Sequence, residues 1–262
     1  PYNISIDNIF ADVDFSNSMF NLKNAGFSVA GNPLKIYGTI KTDSSVDLHL
    51  LTSDIMFKSL VALAGQANIL KDNDIKSGTV SIDASLGGKL NKLLPVIDVN
   101  LNNLVVKNIP SATTLELPKI NLSLLSDGTS FEGLLNIIGL RVVNPMAVLS
   151  MSDSKIEIDE DNINILTTYL LLNNSSMNFS GTITDYMTDK LAMNITGNGN
   201  ILAADVKKFF PAEMRNSIPA AGNIPLSLLV VGNSKVQDIS LKLTADTQNY
   251  ISILDIDALK NK

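Results

Sequence analysis

The stretch "YGTIKTDSSVDLHLL", residues 37–51, carries the pattern that decides the fold. Within it the apolar residues Val46, Leu48 and Leu50 alternate with polar ones such as Asp47. Strict alternation is typical of a β-strand with one apolar and one polar face, because successive side chains of a strand point to opposite sides. The stretch therefore predicts a one-faced strand.

The same period of two runs through most of the chain. Further alternating segments occur at 80–86, 97–101, 120–124, 156–158, 163–165, 224–230 and 239–243. Turn-forming groups such as "SDG" at 126–128 and "GNGN" at 197–200 separate them. This pattern predicts a mainly β chain with many antiparallel strands, each carrying an aliphatic face.

Helical spacing occurs in two short segments. The first, "SDIMFKSLVALAG" (53–65), has Ser53 or Asp54 as its predicted N-terminal cap. The second, "ADVKKFFPAEM" (204–214), has Asp205 in the same role. We therefore expect a few short helices in a chain that is otherwise strand.

A motif of the first stretch, Gly-Thr-Ile, occurs twice in the sequence. Gly38-Thr39-Ile40 recurs as Gly181-Thr182-Ile183, and further glycines, alternating runs and both short helices follow in the same order. Agreement in order along two halves of a chain indicates an internal repeat. We predict one continuous sheet made of a first repeat (1–105), connecting strands (106–146) and a second repeat (147–262).

Composition narrows the classes of function. The chain has 262 residues, of which 45% are hydrophobic but only 5% aromatic, so its apolar surface is aliphatic. The net charge of −6 offers no evident basic surface for nucleic acid. Cysteine is absent, which excludes disulfides, thiolate nucleophiles and cysteine-based zinc sites.

Strands with one aliphatic face must hide that face in a closed barrel, a two-sheet sandwich or a curled trough. A packed interior needs varied shapes that fit together, whereas these faces repeat Ile, Leu and Val. A surface of repeated aliphatic side chains suits a partner without a fixed shape. A large open sheet is also expected to curl. We therefore predict a long, curved antiparallel sheet that forms a β-groove.

The segments 37–63 and 180–232 resemble the AsmA-like superfamily of bacterial envelope proteins, which includes the TamB-like and YhdP-like branches. The shared pattern is a G-T-[IV] strand, an alternating strand, a short helix ending near Pro, and a strand led by Gly and closing on Gly. The resemblance implies a curved β-groove with an apolar lumen. It also implies transfer of phospholipids across the periplasm to the outer membrane, and it brings no catalytic residue.

Members of this superfamily are usually anchored in the inner membrane by an N-terminal helix. Because the sequence begins at Pro1 rather than Met, we expect it to be a piece of a longer chain whose anchor lies outside it. The expected location is the periplasm of a diderm bacterium. The expected partners are phospholipid or another acyl lipid, the membrane through that anchor, and other envelope proteins.

The residues predicted to line the groove share two properties: each is apolar, and each alternates onto the apolar side of its strand. In the first repeat they are Val46, Leu48, Leu50, Val80, Ile82, Leu86, Ile97, Val99 and Leu101. In the second they are Leu191, Met193, Ile195, Ile224, Leu226, Leu228, Val230, Ile239, Leu241 and Leu243.

Two alternatives stay open at this point. The groove could serve the assembly or translocation of outer-membrane proteins, meeting protein rather than lipid. The repeats could instead be stacked β-sandwich domains of a structural or adhesive protein, with a closed, dry core.

The sequence does not favour an enzyme. His49 is the only histidine and alternates onto the polar side with Asp47, so no pairing with a nucleophile or a metal is expected. The carboxylates at Asp72 and Asp74, and those at 159–161, lack the spacing of a calcium loop and are interpreted as acidic turns. We expect no catalytic residue, no metal site and no cofactor.

Overall fold

The computed structural model describes residues 6–29, 31–63, 71–208, 215, 222–233, 240–245 and 252–255. Over these residues the chain is mainly β, and every strand pair for which a register is recorded is antiparallel. Two short helices have described bounds. The predicted fold class, a large antiparallel sheet with a few short helices, is confirmed. The chain divides into two compact units, Pro1–Leu135 (unit 1) and Asn136–Lys262 (unit 2).

Unit 1 contains the first eight strands and one helix. The elements are β1 (Ile6–Ser16), β2 (Met19–Val29), β3 (Asn32–Lys41), β4 (Ser45–Thr52), β5 (Ile55–Met56), α1 (Phe57–Leu63), β6 (Asn73–Lys89), β7 (Lys92–Asn108) and β8 (Thr113–Ser126). Strand β9 (Phe131–Ile138) contains the boundary between the units.

Unit 2 contains the remaining strands and the second helix. The elements are β10 (Arg141–Asn144), β11 (Ala147–Met151), β12 (Ser154–Asp159), β13 (Asn162–Leu172), β14 (Ser175–Thr184), β15 (Ala192–Leu202), α2 (Ala203–Lys207), β16 (Asn223–Asn233), β17 (Ser240–Ala245) and β18 (Ser252–Asp255).

Both units pair their strands mainly in chain order. In unit 1, β2 pairs with β3, β3 with β4, β4 with β6, and β6 with β7. In unit 2, β13 pairs with β14, β14 with β15, β15 with β16, and β16 with β17. In each unit one short helix lies in sequence between two strands that pair directly. In both units the order along the chain is a strand, the G-T-I strand, a further strand, a short helix and two strands that pair with each other.

A steric constraint explains why each G-T-I triplet begins with glycine. Gly38 lies opposite Leu48 with a φ of +133°, and a Cβ there would overlap the carbonyl oxygen of Asp47. A Cβ on Gly181 would likewise overlap the carbonyl oxygen of Asn194. Only glycine lacks the Cβ that these close approaches exclude. The repeated triplet thus marks a tight contact with the following strand in both units.

Helix α1 begins later than predicted. The segment Ile55–Met56 forms the short strand β5, in which Ile55 lies opposite Val80 of β6. Because the sheet takes these residues, the helix begins at Phe57 and neither Ser53 nor Asp54 caps it. That cap prediction is wrong, and the predicted last two residues of this helix lie outside the described part.

The predicted cap of α2 is also wrong. Asp205 lies inside the helix rather than before it, and its side chain is buried, with 2% of the residue exposed. Its Oδ2 accepts hydrogen bonds from Asn174 N at 3.0 Å and Ser175 Oγ at 2.9 Å. Ser175 Oγ in turn accepts one from Leu202 N at 2.9 Å. Asp205 therefore fixes α2 to the β13–β14 turn. Residues 209–214 of the predicted helix lie outside the described part.

Candidate functional site

The cross-strand register places apolar residues in rows on one face of unit 1. Residues directly opposite each other in an antiparallel pair project to the same face. Leu50 lies opposite Ile36 on one side and Ala84 on the other, Ala84 lies opposite Ile97, and Ile97 lies opposite Leu124. One row thus crosses five strands. All nine residues predicted for the first repeat lie on this face: Val46, Leu48, Leu50, Val80, Ile82, Leu86, Ile97, Val99 and Leu101.

Unit 2 has an apolar face of the same kind. Ile195 of β15 lies opposite Val230 of β16, and Met193 lies opposite Ile183 of β14. Leu226 and Leu228 of β16 share the face with Val230, since alternate residues of a strand project to one side. Ile224, Leu241 and Leu243 take register positions on the same face.

One predicted residue of the second repeat lies outside the strands, and another lies outside the described residues. Leu191 precedes β15 and lies in the turn after β14, where its N–H donates to Thr188 O at 3.4 Å. Ile239 lies outside the described residues. That any of these residues lines a lipid groove stays a prediction.

Most of the predicted lining residues are neither buried nor fully exposed. Val46, Val80 and Leu226 are buried. The half-buried ones are Leu48, Leu50, Ile82, Leu86, Ile97, Val99, Leu101, Leu191, Met193, Ile195, Ile224, Leu228 and Val230. Residues in the middle of a sealed core contact neighbours on every side and lose nearly all solvent exposure. In each unit the described residues therefore leave much of the apolar face accessible.

One buried part of the unit 1 face lies beneath α1, whereas Val46 is buried at the opposite end of the strands, where it lies opposite Ile40 and Gly88. Gly78 of β6 has a φ of +135°, and a Cβ there would lie 2.8 Å from Leu104 Cδ1 and 3.3 Å from Phe57 Cβ. The helix and β7 thus pack directly onto the sheet backbone at this point. Val61 of α1 and Ile75 of β6 are buried beside them. Helix α1 therefore covers this end of the face.

The opposite face of unit 1 carries most of its polar side chains, together with exposed apolar ones such as Leu51 and Leu125. His49 lies opposite Tyr37, and their rings stack with centroids 5.0 Å apart. His49 Nε2 lies 3.3 Å from Asp47 Oδ1, so the prediction that these residues share the polar side is confirmed. Further along, Asn121 donates a side-chain hydrogen bond to Asn100. The His49 side chain therefore lies on the face opposite the apolar one.

Sequence reasoning missed several members of the apolar faces. In unit 1 these include Ile36 and Ile40 of β3 and Ile120, Leu122 and Leu124 of β8. Alternation at 120–124 was a usable signal for the β8 residues. In unit 2 the register shifts between Ile165 and Thr168, and an irregularity there reverses which residues project to each side. Leu170 and Leu172 join the face for that reason, which period two alone does not reveal.

An aromatic side chain also belongs to the unit 2 face. Phe179 of β14 lies opposite Gly197 of β15, and a Cβ on Gly197 would lie 2.8 Å from Phe179 Cδ1. The ring therefore occupies the space above the glycine. Gly199 lies opposite Met177, but a Cβ there would overlap the backbone carbonyl oxygen of Ser176. The "GNG" of β15, which suggested a turn, is instead part of a strand, where one glycine makes room for the Phe179 ring and the other allows a close approach of the β14 backbone.

The acidic segment 159–161 forms a turn. Asp159 Oδ1 accepts hydrogen bonds from the N–H groups of Asp161 at 2.9 Å and Asn162 at 2.7 Å. These bonds hold the pKa of the Asp159 carboxyl below its usual range. Tyr186 donates to the Asp159 carbonyl at 2.8 Å, and desolvation, followed by the nearby carboxylates, raises the pKa of Tyr186. Within the described residues no cluster of His, Asp or Glu side chains could hold a metal ion.

Comparison with known protein families, with curated proteins and with solved structures found no match to this chain. Of the described helices, none combines the length and the hydropathy needed to span a membrane. The class that the fold and the site define is therefore an antiparallel β-protein with an accessible aliphatic face in each of its two units.

Proposed function

We propose that the chain is a lipid-binding β-groove that shields the acyl chains of phospholipids in the periplasm. In this role it would carry lipid between the inner and outer membranes and maintain the outer membrane, with the longer protein anchored in the inner membrane. The observation that carries the proposal is the half-buried aliphatic face in each unit. The resemblance to the AsmA-like superfamily supports the cellular setting.

The dimensions of the face suit an acyl chain. The row Ile36, Leu50, Ala84, Ile97 and Leu124 crosses five neighbouring strands. At ~4.8 Å per strand, such a row is about 19 Å long. One leaflet supplies about half of a ~30 Å hydrocarbon core, so a lipid tail is no longer than the row. Each CH₂ group buried there contributes roughly 0.8 kcal/mol without any directed polar contact.

The proposed role needs no catalytic residue, metal or cofactor. The apolar faces present mainly aliphatic side chains, whereas His49 and Asp47 lie on the opposite face of unit 1. A sliding lipid tail requires only continuous apolar contact. We therefore propose a carrier rather than an enzyme.

One observation favours a second candidate, the assembly or translocation of outer-membrane proteins. Strand β1 pairs with β2, and Ile9, Val13 and Phe15 along it are exposed. Exposed apolar side chains grouped on one strand are suited to contact with another protein. A closed sandwich is less well supported, because so many residues of each apolar face keep contact with solvent.

Lipid extraction tests the proposal. The protein is purified without detergent, extracted with organic solvent, and analysed for phospholipid by mass spectrometry. A photo-crosslinking residue is then placed at Leu86, on the apolar face, or at its neighbour Ser85, which lies opposite His49 on the polar face. We expect bound phospholipid and lipid adducts from position 86 only. Absence of lipid, or adducts to protein alone from position 86, would favour the second candidate.

A further inference from the structure

Three hairpin turns of unit 1 lie side by side at one end of their strands. Thr42 N donates to Ser18 O at 2.9 Å, which ties the β3–β4 turn to the β1–β2 turn. Leu90 N donates to Ser44 O at 2.9 Å, which ties the β6–β7 turn to the β3–β4 turn. Residues 15–20, 41–44 and 89–92 therefore form one continuous strip, here called the turn surface.

The turn surface exposes large apolar side chains that local structure does not require. Leu90 and Asn91 form a two-residue loop between the paired residues Lys89 and Lys92. Exposed turns of this kind are usually formed by small or polar residues. Leu90 is instead 60% exposed. Most of the Leu90 side chain is therefore in contact with solvent rather than packed against the described residues of unit 1.

The β1–β2 hairpin adds two aromatic rings. Phe15 lies opposite Phe20 next to the turn, with ring centroids 4.6 Å apart. The two residues are 57% and 49% exposed. Phe20 also lies opposite Ile40, and Ile40 lies opposite Val46. The apolar face of unit 1 therefore extends to the turn surface.

The charge of the turn surface differs in sign from that of the whole chain. It contains Lys41, Lys89 and Lys92 but only one acidic residue, Asp43. Asp127, in the turn after β8, is also close, since a Cβ on its neighbour Gly128 would lie 3.1 Å from Lys92 Cγ. Three lysines and two aspartates leave a local excess of positive charge, whereas the chain carries −6.

We propose that the turn surface binds the surface of an anionic phospholipid bilayer. Leu90, Phe15 and Phe20 insert among the acyl chains near the headgroups, and the flanking lysines meet the lipid phosphates. Exposed apolar and aromatic side chains beside lysines are suited to the membrane interface. The inference goes beyond the proposed function, because an apolar face can hold lipid without its protein touching a bilayer.

Vesicle flotation tests the inference. The full chain is mixed with phosphatidylcholine vesicles that contain or lack phosphatidylglycerol, and the fraction that floats with the vesicles is measured. We expect flotation with the anionic vesicles and much less with the neutral ones. Leu90→Asn, and separately the double variant Lys89→Gln/Lys92→Gln, should each weaken binding on the order of tenfold.

The chain offers a matched control at the other end of the same strand. Ile109 follows the last residue of β7 and is 62% exposed, so Ile109→Asn makes the same chemical change away from the turn surface. It should leave flotation unchanged. Thermal unfolding checks each variant, and the exposed double lysine variant decides the matter if Leu90→Asn does not fold.

Three outcomes would overturn the inference: no flotation of the wild type with anionic vesicles, equal flotation with both vesicle types, or an equal loss with Ile109→Asn. These outcomes are distinct from a failure of the proposed function. If lipid is recovered from purified protein that does not float, the lipid-binding groove is supported and membrane binding by the turn surface is contradicted. If the protein floats but no lipid is recovered from it, membrane binding is supported and the lipid-binding groove is contradicted.

Discussion

Leu48 of β4 lies directly opposite Leu86 of β6, although β5 and α1 lie between them in sequence. The chain therefore leaves the sheet to form α1 and then returns to it, and the apolar face is continuous from β4 to β6. Ile195 and Val230 are related in the same way across α2 in unit 2. In both units the strands on either side of a short helix pair directly, and in unit 1 that helix packs on Gly78 of the sheet.

A charge on the apolar face should block lipid binding while the protein still folds. Ile82 and Leu228 are half-buried, so an aspartate at either position keeps access to water in the absence of lipid. We expect Ile82→Asp and Leu228→Asp to cost about 1–3 kcal/mol of stability and to abolish recovered phospholipid. Thermal unfolding and lipid extraction measure the two effects.

The matched control for Ile82→Asp is Ser81→Asp, because Ser81 projects to the polar face opposite Asn100. Its lipid content should equal that of the wild type. Complete unfolding of both charged apolar-face variants would instead indicate a sealed core.

Truncation beneath α1 should cost more than truncation on the accessible part of the face. Leu104 is 5% exposed and packs on Gly78, whereas Leu122 of β8 is half-buried. Leu104→Ala should lower the free energy of unfolding by about 2–5 kcal/mol, and Leu122→Ala by less. Urea denaturation compares the two. Equal losses would show that the face is packed uniformly.

The Asp205 contacts should be important for unit 2. Asp205→Ala removes the acceptor for Asn174 N and Ser175 Oγ in a buried site, which should destabilise the protein by roughly 1–3 kcal/mol. Asp205→Asn keeps one oxygen acceptor and should be milder. The double variant with Ser175→Ala should cost less than the sum of the single changes, because the two residues share a hydrogen bond. Additive losses in chemical denaturation would contradict this coupling.

The two triplet glycines should not tolerate a side chain. Gly38→Ala and Gly181→Ala each drive a Cβ into the backbone of the following strand and should lower the melting temperature markedly. Gly87 provides the control, since a Cβ there would meet no atom within 4 Å. Gly87→Ala should leave the melting temperature nearly unchanged. Similar changes in melting temperature for all three variants would contradict the steric explanation of the repeated glycine.

Much of the fold could be predicted because strand geometry is local. Alternation of apolar and polar residues at 46–50, 80–86 and 224–230 places every second side chain on one face, whatever the strand pairs with. The apolar face of each unit follows from that rule. The repeated G-T-I triplet also marked equivalent strands, because in both units its glycine allows the next strand to approach closely.

The candidate site was predicted less completely, because non-local pairing changes what each residue does. Ile55 and Met56 fit a helix by their spacing, yet pairing of Ile55 with Val80 makes them a strand. Asp205 has the side chain of a helix cap, but its partners come from the β13–β14 turn far away in sequence. No local pattern contains that information.

The sequence by itself determined the one-faced aliphatic strands, their order in both units and the position of the histidine on the polar side. Only the tertiary structure decided the register, the irregularity that brings Leu170 and Leu172 onto the apolar face, and the alignment of three turns beside Leu90. The physical reason is range: side-chain alternation is set within a few residues, whereas register, packing and the neighbours of a turn depend on contacts between distant segments.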